Sequence, residues 1–94
     1  MLRSKTLADW NSYVVKRHME GNPVNLSDNI RNWMIFKQRT TTAEILQYAY
    51  KVCGEEYRSN EFDMYLRNTI KIITRDNKFD YDQLTDTFVV NLSG

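Results

Sequence analysis

The sequence predicts an α+β domain of three to four helices ending in a β-hairpin, and three observations carry the prediction. Apolar residues recur at three- and four-residue spacing over most of residues 6–74, the period of helices with one buried face. Capping residues and glycines punctuate that stretch where helices must begin and end. From Phe79 onward the period falls to two, the alternation of a strand.

Thr6 or Ser4 caps a first helix that runs to about Met19, with Leu7, Trp10 and Val14 on its buried stripe. Gly21 ends it, and Asn22-Pro23 makes a turn, because proline disfavours helical geometry in the residue before it. Ser27 is placed to cap a second helix over about 28–39. Asp28 suits its positive N-terminal end, and Lys37 and Arg39 its negative C-terminal end. Ile30, Trp33, Met34, Ile35 and Phe36 spread around more than one face, so this helix is either well buried or offers apolar surface to a partner.

Thr41-Thr42-Ala43-Glu44 matches a capping box, in which the threonine oxygen accepts from the third helical amide and the glutamate reaches back to the cap amide. The third helix starts there, lines Ile45, Tyr48, Ala49 and Val52 along one face, and closes at Gly54. After a polar turn, Glu55 to Arg58, Ser59 or Asn60 caps a fourth helix reaching about Thr74. Phe62, Tyr65, Leu66, Ile70, Ile72 and Ile73 fall on one side of it. In KFDYDQLTDTFVVNL, Phe79 and Tyr81 alternate with Asp80 and Asp82, while Phe88, Val90 and Leu92 share one side of a second run. Turn formers lie between, so the segment reads as two antiparallel strands.

Ninety-four residues serve a single core, so 1–94 is one domain, and 41% apolar with 13% aromatic residues is ample material for it. The single cysteine, Cys53, forms no internal disulfide, and with the single histidine, His18, it supplies too few ligands for a structural zinc site. No apolar stretch reaches the roughly 18 residues of a membrane span, and MLRSKTLADW lacks the apolar core of a signal peptide. The expectation is an intracellular, cytoplasmic protein with no membrane partner, no cofactor and no metal.

The formal charge of +1 conceals an asymmetry: residues 1–54 hold eight basic and four acidic side chains, and residues 55–94 hold five and eight. The fourth helix nevertheless concentrates cations on its outer side. Asp63, Met64, Arg67, Asn68, Lys71, Thr74 and Arg75 share that side, and Arg67, Lys71 and Arg75, four apart, form a basic ridge with Asn68 beside it. Arginine and asparagine are the side chains best suited to bidentate contacts with guanine and adenine edges. A solvated face of an ordinary amphipathic helix has the same pattern.

A helix pair joined by a short turn and followed at once by a two-stranded hairpin resembles, in the order of its elements, the winged-helix domains. The resemblance covers residues 41–92 and rests on no sequence motif. It implies that residues 42–53 support, that residues 60–75 enter the major groove, and that residues 79–92 form a wing beside the backbone. Arg67, Asn68, Lys71, Thr74 and Arg75 would then contact double-stranded DNA. Two features depart from that pattern: the hairpin carries Asp80, Asp82 and Asp86 with no basic residue after Lys78, and Glu55 and Glu56 precede the fourth helix. Phosphate repels such groups, and they favour the protein-binding use of the same scaffold.

Catalysis finds little material. His18 falls on the Leu7–Val14 side of its helix as a structural histidine, and Cys53 sits at a helix end with no histidine near in sequence. Asp80, Asp82 and Asp86 lack the glycine and final glutamate of a calcium loop. There is no glycine-rich phosphate loop and no serine elbow, and Asn-Leu-Ser at 25 and 91 matches a glycosylation acceptor by chance. The expectation is a protein that is not an enzyme.

Six tyrosines, two tryptophans and four phenylalanines exceed what so small a core must hold. Trp33, Phe36, Tyr50 and Tyr57 are the candidates for exposure; near Arg31, Lys37 and Arg39 they would form a protein-binding patch or a stacking surface for single-stranded nucleic acid. They equally fit completion of the core or a homodimer interface. The expected function is a small DNA-binding regulatory protein. The alternative is a protein-binding inhibitor or adaptor of the kind phages encode, using Trp33, Phe36, Asp80, Asp82 and Asp86.

Overall fold

The structure, a computed structural model, describes residues 4–92; Arg3, counted in the charge balance, and Ser93, of the second Asn-Leu-Ser triplet, lie outside it. Among the described residues, four helices and a three-stranded antiparallel sheet follow in the order α1 (Leu7–Met19), α2 (Leu26–Lys37), β1 (Arg39–Thr41), α3 (Thr42–Cys53), α4 (Asn60–Ile73), β2 (Phe79–Asp82) and β3 (Thr87–Val90). A single 3-10 turn, Glu55–Tyr57, joins α3 to α4.

Local chemistry explains most boundaries. Thr6 closes a capping box on α1, its hydroxyl accepting from the Asp9 amide at 3.2 Å while Asp9 accepts from the Thr6 amide at 2.8 Å. Thr41 and Glu44 do the same on α3, at 3.1 and 2.9 Å. Ser59 caps α4 by accepting from the Phe62 amide at 3.0 Å. Gly54, at φ +120°, ends α3 in a conformation that strains any residue bearing a Cβ.

The second helix departs from expectation at both ends. Its cap is Asn25, which accepts from the Asp28 amide at 3.2 Å, and Ser27 lies inside the first turn. Gln38, at φ 68°, breaks the helix, so Arg39 belongs to a strand. That strand pairs with β3 through Arg39↔Val89, Thr40↔Phe88 and Thr41↔Thr87. The sheet order is β1-β3-β2, and the helix pair with its C-terminal hairpin has a winged-helix-like layout.

The core lies between the helices and extends onto one face of the sheet. Trp10, Tyr57 and Phe62 meet with ring centroids 5.4–6.1 Å apart, and Tyr50 lies 5.7 Å from Phe62. Of the candidates for exposure, Tyr50 and Tyr57 instead complete the core, because aromatics from α1, α3, α4 and the turn converge. Three positions expected inside are outside: Val52, Ile72 and Leu92 are exposed, and the inner face of α3 is instead Ile45, Leu46, Ala49 and Tyr50. His18 is likewise exposed, since α1 buries only Trp10 fully. Arg31 locks α2 to the end of α4, donating to the Ile73 carbonyl at 2.5 Å and pairing with Asp76 at 2.8 Å. Its guanidinium also lies over Phe79, so it is not available to a surface patch around α2.

Candidate nucleic-acid interface

Phe62, Leu66, Thr69 and Ile70 anchor α4 in the core, which turns Met64, Arg67, Asn68, Lys71 and Ile72 to solvent. The expected ridge is present, in modified form. Arg67, Asn68 and Lys71 stand on the outer face, and Arg75 is exposed just past the last turn. Thr74 is different: it is the half-buried C-cap residue, and its hydroxyl donates back to the Ile70 carbonyl at 2.7 Å, so its proton is already committed. Lys71 and Arg75 form no ion pair among the described residues.

Most of the acidic residues near the ridge have partners of their own. Glu55 pairs with Arg58 at 2.8 Å, which holds its carboxyl below the usual range, and Glu56 lies 3.9 Å from Lys5. Asp76, next to Arg75, is held low by the Arg31 hydrogen bond. Asp63 accepts from the Tyr50 hydroxyl. Asp82 accepts from the Leu84 amide at 3.0 Å and so shapes the hairpin turn.

Register decides where the remaining hairpin carboxylates stand. Phe79↔Val90 and Tyr81↔Phe88 are opposite pairs, as are Asp80↔Val89 and Asp82↔Thr87. Opposite residues share a face and neighbours alternate, so the first two pairs face α4 while Asp80 and Asp82 stand on the far side of the sheet. Asp80 there shares a cross-strand row with Val89 and Arg39. Asp86, at φ 51°, folds back: its carboxylate accepts from the Thr42 hydroxyl at 2.7 Å and from the Tyr81 hydroxyl at 2.6 Å. Those two bonds, with the charge of Arg67 nearby, hold Asp86 below the usual carboxylate range, and the same bond raises Tyr81.

Arg67, Lys71 and Thr74 meet the hairpin across a cleft of about 500 Å³ whose other walls are Thr42, Ile70, Phe79, Tyr81, Asp86 and Phe88. Asn68 and Arg75 stand outside it. The sequence held no signal for this cleft, because Thr42 comes from the start of α3 and joins the site only through Asp86. Of the two candidate aromatics on α2, Trp33 is half-buried and stacks on Tyr48 at 4.4 Å and 8°, whereas Phe36 is 80% exposed.

Other chemistry is sparse. Burial pushes the Cys53 thiol up to about 12, so little thiolate is present near neutrality. Among the described residues, no group of three or more His, Cys, Asp or Glu side chains is placed to hold a metal, and no helix is long and apolar enough to cross a membrane. No family model matches the chain, and no curated protein or solved structure does so either.

Proposed function

We propose that this chain is a small cytoplasmic regulatory protein that binds duplex DNA with α4. One observation supports the reading above the others: Arg67, Asn68, Lys71 and Arg75 are exposed around the C-terminal half of α4 while the acidic residues beside them are turned inward or paired. A nucleic-acid binder needs local positive surface more than positive total charge, and Arg67, Lys71 and Arg75 stand here in no ion pair among the described residues. Arg67, Lys71 and Arg75 would meet phosphates or guanine edges, with Asn68 suited to adenine. The hairpin would lie beside the backbone without an electrostatic grip of its own.

A second reading, a protein-binding inhibitor or adaptor, draws on the apolar residues of the same face. Met64 and Ile72 flank the ridge and are 67% and 58% exposed, and Phe36 offers a separate apolar point. Interfaces combine such apolar contacts with arginine, so the surface suits a protein partner as well. A mobility shift with random-sequence duplex at two salt concentrations separates the readings. Binding that weakens steeply with salt is the expected result. No measurable affinity at about 50 mM salt, where electrostatic binding is strongest, would remove the DNA reading and leave the protein one.

A further inference from the structure

The cleft between α4 and the hairpin shares Arg67 and Lys71 with the ridge, but the rest of its lining is mainly apolar, so it suits an occupant of a different kind. Its floor and far wall are Ile70, Phe79, Phe88 and the ring of Tyr81, with Tyr81 and Phe88 centroids 4.7 Å apart. Its rim carries two cations, Arg67 and Lys71. The hydroxyl protons deeper inside are committed: Tyr81 and Thr42 both donate to Asp86 Oδ1, and Thr74 donates to the Ile70 carbonyl. Two positive charges against the one carboxylate of Asp86 leave a single positive charge unbalanced. The volume, about 500 Å³, falls within the range of small-molecule sites.

We propose that this cleft binds a small aromatic monocarboxylate, its flat apolar body against Tyr81, Phe88 and Ile70 and its carboxylate between Arg67 and Lys71. The apolar lining selects the body, because an acceptor group buried in the ligand would find no free hydroxyl proton there. The charge balance selects one negative charge, since a doubly charged group would leave one charge unmatched beside Asp86. Arginine and lysine at the rim supply the charge-assisted hydrogen bonds that a carboxylate needs.

The test titrates the full chain with 2-naphthoate, following backbone amide shifts by NMR, with 2-naphthylmethanol and 2-naphthylmethylammonium in parallel. Saturable shifts centred on Ile70, Lys71, Phe79, Tyr81 and Phe88 are expected. The neutral alcohol should bind about tenfold more weakly and the ammonium more weakly still. R67Q/K71Q, a surface change that spares the core, should also weaken 2-naphthoate about tenfold. Shifts centred elsewhere, no saturation at millimolar concentration, or equal affinity for the three probes or in the double variant would overturn the proposal. No DNA is present, so failure here leaves the reading of α4 as a duplex-binding helix untouched.

Discussion

The Asp86 carboxylate, at the end of the hairpin turn, accepts from the hydroxyl of Thr42, the first residue of α3, at 2.7 Å, and the Asp86 carbonyl accepts from the Thr42 amide at 3.1 Å. This double link fixes the hairpin on the helix pair. Asp86 tolerates its positive φ because aspartate is among the few residues that enter the left-handed region without large cost. Thr42→Val should lower stability by about 1 kcal/mol, since it removes one hydrogen bond to a partly screened carboxylate. The folded-state pKa of Asp86 is depressed, so its contribution is present above the unfolded value, about 3.9, and is lost as pH falls through the folded one. The stability gap between wild type and Asp86→Asn, read from denaturant midpoints, should narrow as pH drops below about 4. A gap constant from pH 7 to 3 would contradict this.

Tyr50 is fully buried, and its hydroxyl donates to Asp63 on α4. Burial first, and the Asp63 hydrogen bond second, push its phenol up to about 12. In a spectrophotometric titration the last tyrosine to ionise should disappear in Tyr50→Phe. The same variant should lose about 1.5–3 kcal/mol, the range for a hydrogen bond to a charged group. A tyrosine titration unaltered above pH 11 would sink the assignment.

These two links show where sequence legibility ends. The capping boxes at Thr6 and Thr41, the glycine at 54 and the apolar stripe of α4 lie within a few residues of one another, so their geometry follows from local chemistry. The strand β1 does not: Arg39–Thr41 is three residues long and exists because β3 returns to pair with it. Tyr50 and Tyr57 sit off the most apolar stripes and are buried by partners from other elements. Nor does the alternation of the hairpin say which face meets α4, and that alone sends Asp80 and Asp82 away from the ridge.

Gly54 joins α3 to the turn with φ +120° and ψ 139°, and a Cβ there would come within 2.6 Å of Glu56 Oε1. The carboxylate can move aside, but the backbone cannot relax without reopening the end of α3. Gly54→Ala should therefore cost about 1–3 kcal/mol, the range for a residue forced into sparsely populated backbone space. Thermal unfolding of this variant beside Gly54→Ala/Glu56→Ala would show how much is steric. If removing Glu56 restores full stability, the backbone explanation is wrong.

Thr40 is 2% exposed in β1, and its hydroxyl has no hydrogen-bond partner among the described residues. Valine has the same shape, suits a strand, and carries no polar group to strand in the interior. Thr40→Val should raise stability by about 1 kcal/mol with no change in fold. A lower melting temperature would mean that the hydroxyl has a partner that matters.

The ridge on α4 and the carboxylates of β2 should separate in their effects on duplex binding. Arg67, Lys71 and Arg75 are exposed and oppose the Phe62, Leu66 and Ile70 stripe, so replacing all three by alanine should leave the melting temperature nearly unchanged. Duplex affinity should be abolished. Each single replacement that removes a phosphate contact should flatten the slope of log affinity against log salt by about one, because the counterions at that phosphate are no longer released. Asp80 and Asp82 stand on the far face of the sheet, and at about 0.15 M salt charges more than roughly 8 Å apart are largely screened. Asp80→Asn/Asp82→Asn should thus strengthen binding by less than about threefold. A larger gain would place the far face of the hairpin against the phosphates and the ridge away from them, reversing the proposed orientation.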